Sequence, residues 1–304
     1  MKKLVVCKIA LLFFALTYQL LMVKQVSAHT VVSATDVERY IANIYGQFDF
    51  KGSEKLSYDV FEKAYKGYMN LRNAGKLNKN KDLLTVVDFT KSSTKKRMWV
   101  FDLKTQKLLI NDYVAHGQGS GEEFATVFSN TENSHQSSLG FYVTGEIYNG
   151  EHGASLRLHG MDNGYNSAAF DRAIVVHGAD YVCTDFIRAQ NRLGRSWGCP
   201  AVSNQVVKKL INTVENGTCL FIYAADKKYL AKAYWLNKKI DFLPEENMLQ
   251  DLLALNANKR KDLELVYDVS AADLAPEGAR VVAFNTPSTK PVLPPLPFIW
   301  KVLP

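Results

Sequence analysis

Two segments near the start of the chain carry apolar residues at helical spacing. Positions 36–45 and 58–71 repeat apolar side chains with lysines and other polar residues between them. This period places the apolar side chains on one face of a helix, because an α-helix turns once about every 3.6 residues. The pattern predicts two amphipathic helices, and the polar, glycine-containing stretch 73–80 predicts a loop after them.

From residue 83 onward the pattern changes to short apolar runs rich in β-branched and aromatic residues. Polar turns separate these runs, as is typical of β-strands. Helical periodicity returns at 204–214, and 185–192 is predicted as a helix or a loop. Together, the helical and strand patterns predict an α+β fold with a predominantly β core. The predicted strands are 84–89, 97–103, 107–110, 137–145, 155–160, 173–177 and 218–223.

The C-terminal part differs in composition from the β-rich region. Residues 227–240 predict one basic amphipathic helix, and Pro244 begins a second helix with an apolar face. The proline-rich stretch 287–300 favours polyproline II. We therefore divide the chain into four segments: a signal peptide at 1–28, an N-terminal helical segment at 29–80, a β-rich domain at 81–225, and a C-terminal helical extension with a proline-rich tail at 226–304.

The first residues have the three parts of a secretory signal. Lysines follow the initiating methionine, an apolar run covers 9–23, and Val26-Ser27-Ala28 offers small residues for cleavage after Ala28. The alternative is an uncleaved membrane anchor, but Lys8 interrupts the apolar run at 4–23. We expect export to the periplasm or cell envelope, with no stable membrane span once the signal is removed.

The formal net charge overstates how basic the exported chain is. The whole chain carries +7, but Lys2, Lys3, Lys8 and Lys24 lie in the predicted signal, which holds no acidic residue, so +3 remains. This charge does not indicate a nucleic-acid-binding protein. A mild positive bias suits an anionic polymer of the cell envelope, although a solvated surface explains it equally.

Three cysteines remain after the predicted cleavage: Cys183, Cys199 and Cys219. An odd number in an exported protein leaves at least one thiol without an internal partner. Two arrangements are open: a Cys183–Cys219 disulfide with Cys199 free, or three free thiols. The chain has no Cys-x-x-Cys or His-x-x-x-His spacing, so we expect no zinc or other metal site.

Cys199 lies where the chain must bend. Gly198 permits unusual backbone angles, and Pro200 moves Cys199 away from helical geometry. A free thiol is mostly protonated at neutral pH and needs a base to act as a nucleophile. His177 ends the apolar run 173–176 and is the candidate base. The alternative is that Gly198-Cys199-Pro200 is only a packed turn.

Four ordered motifs point to one family. Val-x-His-Gly-x-Gly-Ser-Gly begins at Val114, Ser-Ser-Leu-Gly-x-Tyr-x-Thr-Gly at Ser137, Arg-x-Ile-Val-x-His-Gly-Ala at Arg172, and Gly-Arg-Ser-x-Gly-Cys-Pro-Ala at Gly194. The block 86–223 thereby resembles the murein L,D-transpeptidase catalytic-domain family, in a divergent branch with Ser-x-Gly-Cys-Pro-Ala. The resemblance implies an L,D-transpeptidase-like β-sandwich with flanking N- and C-terminal helices, and makes 81–225 the catalytic domain. It also implies peptidoglycan stem peptides as partners and neither a metal nor an organic cofactor.

The resemblance assigns roles to residues of two motifs, the one that begins at Arg172 and the one that begins at Gly194 and contains the bend. It implies that Cys199 is the nucleophile, that His177 is the base, and that the Gly178 carbonyl orients the histidine. The N–H groups of Gly198 and Cys199, at a bend without a side chain at Gly198, are our candidate oxyanion hole. Ser196 is either a turn-capping hydroxyl or an accessory hydrogen-bond donor.

Two positions depart from the commoner family pattern. Many members have histidine at the position of Trp197, and arginine or asparagine at the position of Ala201. The charge that binds a substrate carboxylate is therefore expected from Arg195, Arg192 or Arg157. Trp197 is expected to pack under the turn, with a substrate contact as the alternative.

Four of the other five histidines lie in or near the β-rich motifs and need an assignment. His159 competes with His177 as base, because both precede a glycine, and is otherwise a substrate-binding candidate. His116 opens a glycine-rich loop that we expect to lie near a cleft and to contact substrate. His135 and His152 are expected to be surface residues.

The expected reaction is acyl transfer through a Cys199 acyl-enzyme, which forms crosslinks or exchanges the terminal residue of a stem peptide. The acceptor is another stem, a lysine of an envelope lipoprotein, or a free D-amino acid. Two other classes stay open: an L,D-carboxypeptidase or cysteine amidase that hydrolyses stem peptides, and a non-catalytic envelope-binding protein.

Overall fold

The computed structural model describes residues 33–50, 52–240 and 243 of the chain, all within one compact unit. The predicted signal peptide at 1–28, the helix predicted from Pro244 and the proline-rich tail lie outside these residues. No helix in the part of the chain that the structure describes is long and apolar enough to cross a membrane.

The two N-terminal helices form where the apolar spacing predicts them. Helix α1 covers Ala34–Gln47 and helix α2 covers Tyr58–Asn73. Ser33 caps α1 by accepting a hydrogen bond from the Asp36 N–H, and the Asp36 carboxylate accepts one from the Ser33 N–H in return. Each helix buries the apolar face that the spacing defines, and α2 packs on the sheet.

Eight strands of the described chain pair in the order β3-β2-β1-β8-β4-β5-β6-β7. The pairs β1–β8 and β6–β7 are parallel, and the other neighbours are antiparallel. This arrangement confirms an α+β fold with a sheet-dominated core. The strands are β1 Leu83–Asp88, β2 Met98–Asp102, β3 Lys107–Asp112, β4 Gly140–Gly150, β5 Gly153–Gly160, β6 Val175–Gly178, β7 Ala201–Val202 and β8 Cys219–Tyr223.

The remaining described helices lie after β6. Helix α3 covers Thr184–Gln190 and α4 covers Asn204–Val214, while α5 and α6 cover Lys227–Lys232 and Tyr234–Asn237. A single helix over 227–240 is therefore wrong, because Ala233 is extended between α5 and α6.

The interruption at Ala233 lets two aromatic side chains dock on the core. The Tyr229 hydroxyl donates to the Asp162 carboxylate at 3.1 Å, and Trp235 Nε1 donates to the Met161 carbonyl at 2.8 Å. A continuous helix would place these two side chains at a different relative angle. Local periodicity is overridden here by tertiary packing.

Residues 173 and 174 lie before β6 rather than in it. Ala173 has φ +52°, a left-handed conformation that no β-strand contains, so β6 begins only at Val175. The predicted strand at 137–145 likewise begins later, at Gly140, and runs on to Gly150. The short strand β7 was not predicted, because two residues carry no periodicity.

We expect Gly67→Ala to lower the free energy of unfolding by about 1 kcal/mol or more. Gly67 lies in α2, and a Cβ built there would come within 2.5 Å of the Phe141 ring. Overpacking costs about 1 to 3 kcal/mol, and overlap with the fully buried Phe141 ring places this variant in the upper half of that range, so about 1 to 2 kcal/mol remains after the helix-propensity gain of about 1 kcal/mol. Urea unfolding measures the change.

Gly46→Ala is the matched control, because Gly46 lies in α1 and a Cβ there meets no atom within 4 Å. It should be neutral or stabilising by up to about 1 kcal/mol. Equal behaviour of the two variants would contradict the packing of α2 on the sheet.

Candidate active site

One cavity of about 420 Å³ brings together residues that are far apart in the sequence. Cys199 and His177 both line it, together with Arg195, Ser196 and Trp197. Three further substrate-binding candidates, Arg157, Arg192 and His159, do not line it, and neither does His116.

The turn that carries Cys199 is anchored on both sides by backbone pairing. After the turn, Ala201 of β7 pairs with His177 of β6 and also with Ala115. Before the turn, Ser196 forms a bridge with Gly117. The Cys199 sulfur and the His177 imidazole share a cavity because β7 pairs directly with β6, the strand that carries His177.

The Ser196 hydroxyl closes this turn. It donates to the Cys199 carbonyl at 2.6 Å and accepts from the Gly198 N–H at 3.1 Å, and Ser196 is only 5% exposed. Turn capping is therefore the role that the geometry assigns to Ser196. The Gly198 N–H already donates to the Ser196 hydroxyl, so it would have to leave that acceptor in order to serve the predicted oxyanion hole. Among the described residues, the Cys199 N–H has no acceptor.

Gly198 is required at this turn for two reasons. Its φ is +122°, a region that residues with a side chain rarely adopt. A Cβ at this position would also lie 2.8 Å from the Gln136 carbonyl oxygen. The Gly198 carbonyl accepts from the Ser137 hydroxyl at 3.1 Å, so the second motif of the sequence also supports the turn.

The Cys199 sulfur is held by backbone groups. Sγ accepts from the Val175 N–H at 3.4 Å and donates to the Ala173 carbonyl at 3.7 Å. In the described structure it makes no hydrogen bond to an imidazole. Burial raises the pKa of the thiol, while the Val175 N–H and Arg172 lower it by less. The resting sulfur is therefore protonated at neutral pH, and proton transfer requires the thiol to leave Ala173.

His177 is neutral and has a defined tautomer. Its Nδ1 lies 2.9 Å from the Gly178 carbonyl oxygen. A carbonyl only accepts, so Nδ1 carries the proton and Nε2 keeps its lone pair. Burial lowers the pKa of His177, and the Gly178 bond partly opposes this shift. A Cβ at Gly178 would meet the side chains of Asn204 and Val207, so a larger residue there would require these side chains to shift.

His152 is exposed, as expected of a surface residue, and it also belongs to the site. It lies in the turn between β4 and β5 and lines the cavity. Its ring stacks on that of His177, with 4.3 Å between centroids and 21° between planes. Burial is the main cause of the lowered pKa of His177, and His152 lowers it further as a minor cause. No sequence spacing links the two positions.

Trp197 does not pack under the turn. Its side chain is 72% exposed, and its ring stacks on His135 with 5.0 Å between centroids and 6° between planes. This corrects the packing expectation for Trp197, whereas His135 is partly exposed and remains a surface residue. The pair forms a flat aromatic surface at the mouth of the cavity.

The three arginines expected to bind a substrate carboxylate already face carboxylates. Arg195 and Arg192 contact the two oxygens of Glu122 at 2.6 and 3.0 Å. Arg157 contacts Glu146 at 2.8 Å. Each of the three therefore already has a carboxylate partner within the protein, with Glu122 shared between Arg195 and Arg192.

Arg172 is the arginine that sequence reasoning missed. It is half-buried, lines the cavity, and donates to the carbonyls of Ser129 and Gln136 at 2.8 and 2.7 Å. Within the described chain it has no carboxylate partner, and its Nε–H has no acceptor. The signal was present in the motif that begins at Arg172 and ends beyond His177.

His116 and His159 do not line the cavity and do not contact the Cys199 sulfur. His116 is fully buried and accepts at Nδ1 from Arg97 Nη2 at 2.8 Å. Burial, with Arg97 second, lowers its pKa to about 3, so it is neutral. A buried ring cannot contact substrate. The backbone carbonyl of His116 instead accepts a hydrogen bond from the Ser196 N–H. His159 stacks on Phe170 outside the cavity.

Cys183, Cys199 and Cys219 are all free thiols, so the Cys183–Cys219 disulfide is wrong. Cys183 caps α3 by accepting from the Phe186 N–H. Within the described residues, no three His, Cys, Asp or Glu side chains are grouped to hold a metal ion.

We expect Ser196→Ala to lower the free energy of unfolding by about 1 to 2 kcal/mol, because the buried Gly198 N–H loses its acceptor. Ser203→Ala is the matched control, since Ser203 precedes α4 without a side-chain capping bond, and should change stability by less than about 0.5 kcal/mol. Urea unfolding compares them. A Ser196→Ala variant as stable as Ser203→Ala would contradict the turn clamp.

We expect iodoacetamide to alkylate Cys199 at a rate that still increases with pH near 9.0, the ordinary pKa of cysteine. A raised pKa keeps the proton on sulfur at pH values where an unfolded cysteine has lost it. Peptide mass spectrometry resolves the modified site, and the same residue in urea-unfolded protein should react faster at pH 8. A rate that reaches its plateau at or below pH 7 would indicate a resting thiolate–imidazolium pair instead.

Comparison with known proteins agrees with the four motifs. The family model described as "L,D-transpeptidase catalytic domain" matches residues 52–223, more than half of the chain. A search of curated proteins finds no significant match.

Solved structures with similarity include an L,D-transpeptidase from Mycobacterium smegmatis, at 13% identity and TM-score 0.30, covering 47% of this chain and 59% of that one. An L,D-transpeptidase from Stackebrandtia nassauensis has 14% identity and TM-score 0.29, covering 63% and 91%. The helical cell shape determining protein of Campylobacter jejuni has 16% identity and TM-score 0.32, covering 53% and 57%. The match spans less than two thirds of the first and third of these chains. The family model decides the assignment: the chain belongs to the L,D-transpeptidase catalytic-domain family.

Proposed function

We propose that this peptidoglycan-modifying enzyme is an exported, cysteine-dependent L,D-transpeptidase that acts on stem peptides. The observation that carries the proposal is the shared cavity of Cys199 and His177, in which Gly178 holds the imidazole proton on Nδ1. A partly exposed thiol beside a neutral imidazole with a free Nε2 is the arrangement that nucleophilic acyl transfer requires.

The first half-reaction forms a thioester. His177 Nε2 takes the proton from Cys199 as the thiol leaves the Ala173 carbonyl, and the Val175 N–H stays with the thiolate. Sulfur attacks the carbonyl carbon of the diamino-acid residue in a stem tetrapeptide. The C–N bond to the terminal D-alanine breaks, and the imidazolium returns the proton to the departing amine.

The Cys199 N–H is the candidate donor to the oxyanion of the tetrahedral intermediate, because it is close to the attacking sulfur and has no acceptor among the described residues. It replaces the pair of donors expected from the sequence. Ser196 keeps this N–H in place by holding the carbonyl of the same residue.

Arg172 is the group we assign to the carboxylate of the departing D-alanine. It lines the cavity beside Cys199 and, unlike Arg195, Arg192 and Arg157, meets no carboxylate of the described chain. Its hydrogen bonds to backbone carbonyls fix the guanidinium in one orientation. A fixed, unpaired arginine binds a carboxylate at low entropic cost.

In the second half-reaction an amine attacks the thioester. A second stem peptide gives a crosslink, a free D-amino acid gives exchange of the terminal residue, and a lysine of an envelope lipoprotein gives attachment. Water would instead release a shortened stem. His152, stacked over His177 at the cavity, supports the exclusion of water from the imidazole.

We expect purified disaccharide-tetrapeptide to lose its terminal D-alanine, to form crosslinked dimers and to leave a thioester adduct on the Cys199 peptide. Cys199→Ala should abolish all three products, and His177→Ala should slow them by about 10²- to 10⁴-fold, the usual contribution of a general base. Liquid chromatography with mass spectrometry measures the products. Cys183→Ala is the matched cysteine control and should retain activity, because Cys183 lies outside the cavity.

Two outcomes would select another function. Shortened stems without dimers or exchange products would make the protein an L,D-carboxypeptidase or amidase. Binding of cell-wall material without any product or adduct would make it a non-catalytic envelope protein.

A further inference from the structure

A line of stacked planar side chains runs outward from the catalytic cavity. Tyr148 lines the cavity, and the Arg157 guanidinium lies over its ring, 4.3 Å from the centroid. The same guanidinium lies 5.2 Å from the Phe170 centroid. Phe170 in turn stacks on His159, with 5.5 Å between centroids and 11° between planes. We call these four residues the aromatic strip.

The strip is continuous with the cavity through strand β5. Side chains alternate between the two faces of a strand, so Ser155, Arg157 and His159 share one face while Leu156 and Leu158 are buried on the other. Ser155 itself lines the cavity. From Ser155 to His159 the strand advances about 13 Å, so the strip extends well beyond the space that holds the sulfur.

The strip is exposed and already ordered. Phe170 is 50% exposed, although large aromatic side chains normally bury most of their surface, and His159 is also exposed. Each ring is held by its neighbour in the stack, which lowers the entropy that a ligand would have to overcome. An ordered, exposed aromatic surface beside a catalytic cavity is typical of a binding site.

The charge and the backbone indicate which ligand fits. Glu146 pairs with Arg157, so the strip carries little net charge and does not suit an anion. Strand β5 is hydrogen-bonded to β4 on one side and, at Leu156 and Arg157, to β6 on the other, so a peptide cannot add as a strand at the centre of the strip. Flat rings with polar groups between them suit the C–H faces and hydroxyls of sugar rings.

We propose that the aromatic strip binds sugar rings of the glycan strand and so delivers the attached stem peptide to Cys199. This inference rests on the proposed function for the identity of the polymer. The glycan lies across Phe170 and Arg157, while the stem enters the cavity past Tyr148.

The test uses the whole exported protein and glycan strands from which an amidase has removed the stem peptides. We expect wild type to co-sediment with these strands, and the double variant Phe170→Ala/His159→Ala to bind about tenfold more weakly, since two stacked rings are lost. Tyr234→Ala is the matched control, because Tyr234 is 59% exposed with Lys238 over its ring, yet belongs to neither strip nor cavity. It should bind as wild type does.

Alkylation of Cys199 by iodoacetamide should proceed at the wild-type rate in both variants, which shows that the fold and the cavity are intact. Cys199→Ala should bind stripped glycan normally. If wild type forms no reaction product but still binds glycan through the strip, only the proposed function is overturned.

Three results would overturn the inference about the strip. The inference fails if wild type turns over tetrapeptide but does not bind stripped glycan. It also fails if all variants bind stripped glycan equally. A double variant that loses affinity for free stem tetrapeptide, but not for stripped glycan, would make the strip a peptide site.

Discussion

The pairing of β7 with β6 is the constraint on which the active site depends. It sets Ala201 beside His177, and Cys199 is only two residues before Ala201. Everything else at the turn serves to keep the residues just before Ala201 in one conformation. Ser196 closes the turn with two hydrogen bonds, Gly198 supplies the positive φ, and Ser137 holds the Gly198 carbonyl. A strand of two residues thus joins the proposed nucleophile to the proposed base.

The electrostatics of the site favour uncharged groups at rest. Burial raises the pKa of Cys199 and lowers that of His177, so both shifts oppose a standing ion pair. In the proposed reaction the charged pair forms only transiently, with the thiolate stabilised by the Val175 N–H and Arg172. Burial also keeps a second imidazole neutral. Desolvation lowers the pKa of His116, so its Nδ1 can accept a hydrogen bond from Arg97.

Much of the fold follows from periodicity alone. The apolar spacing predicts α1, α2 and α4, and the β-branched runs predict every strand of four residues or more, because local burial patterns repeat at the period of each element. The bend at Cys199 and the histidine at the end of β6 are also visible in the residues themselves. The errors are at Ala233, where docking of Tyr229 and Trp235 interrupts a helix, and at Ala173, where a left-handed residue delays a strand.

The sequence by itself determined the family, the α+β class, the turn at Gly198-Cys199-Pro200 and the candidate base His177, since each is recorded in adjacent residues or in the order of the motifs. Only the tertiary structure decided which other side chains meet at the cavity. It brought His152 onto His177, moved His116 into the core, satisfied Arg195, Arg192 and Arg157 with carboxylates, and left Arg172 unpaired. Those outcomes depend on contacts between strands distant in the chain, and no local pattern encodes which side chains such contacts will join.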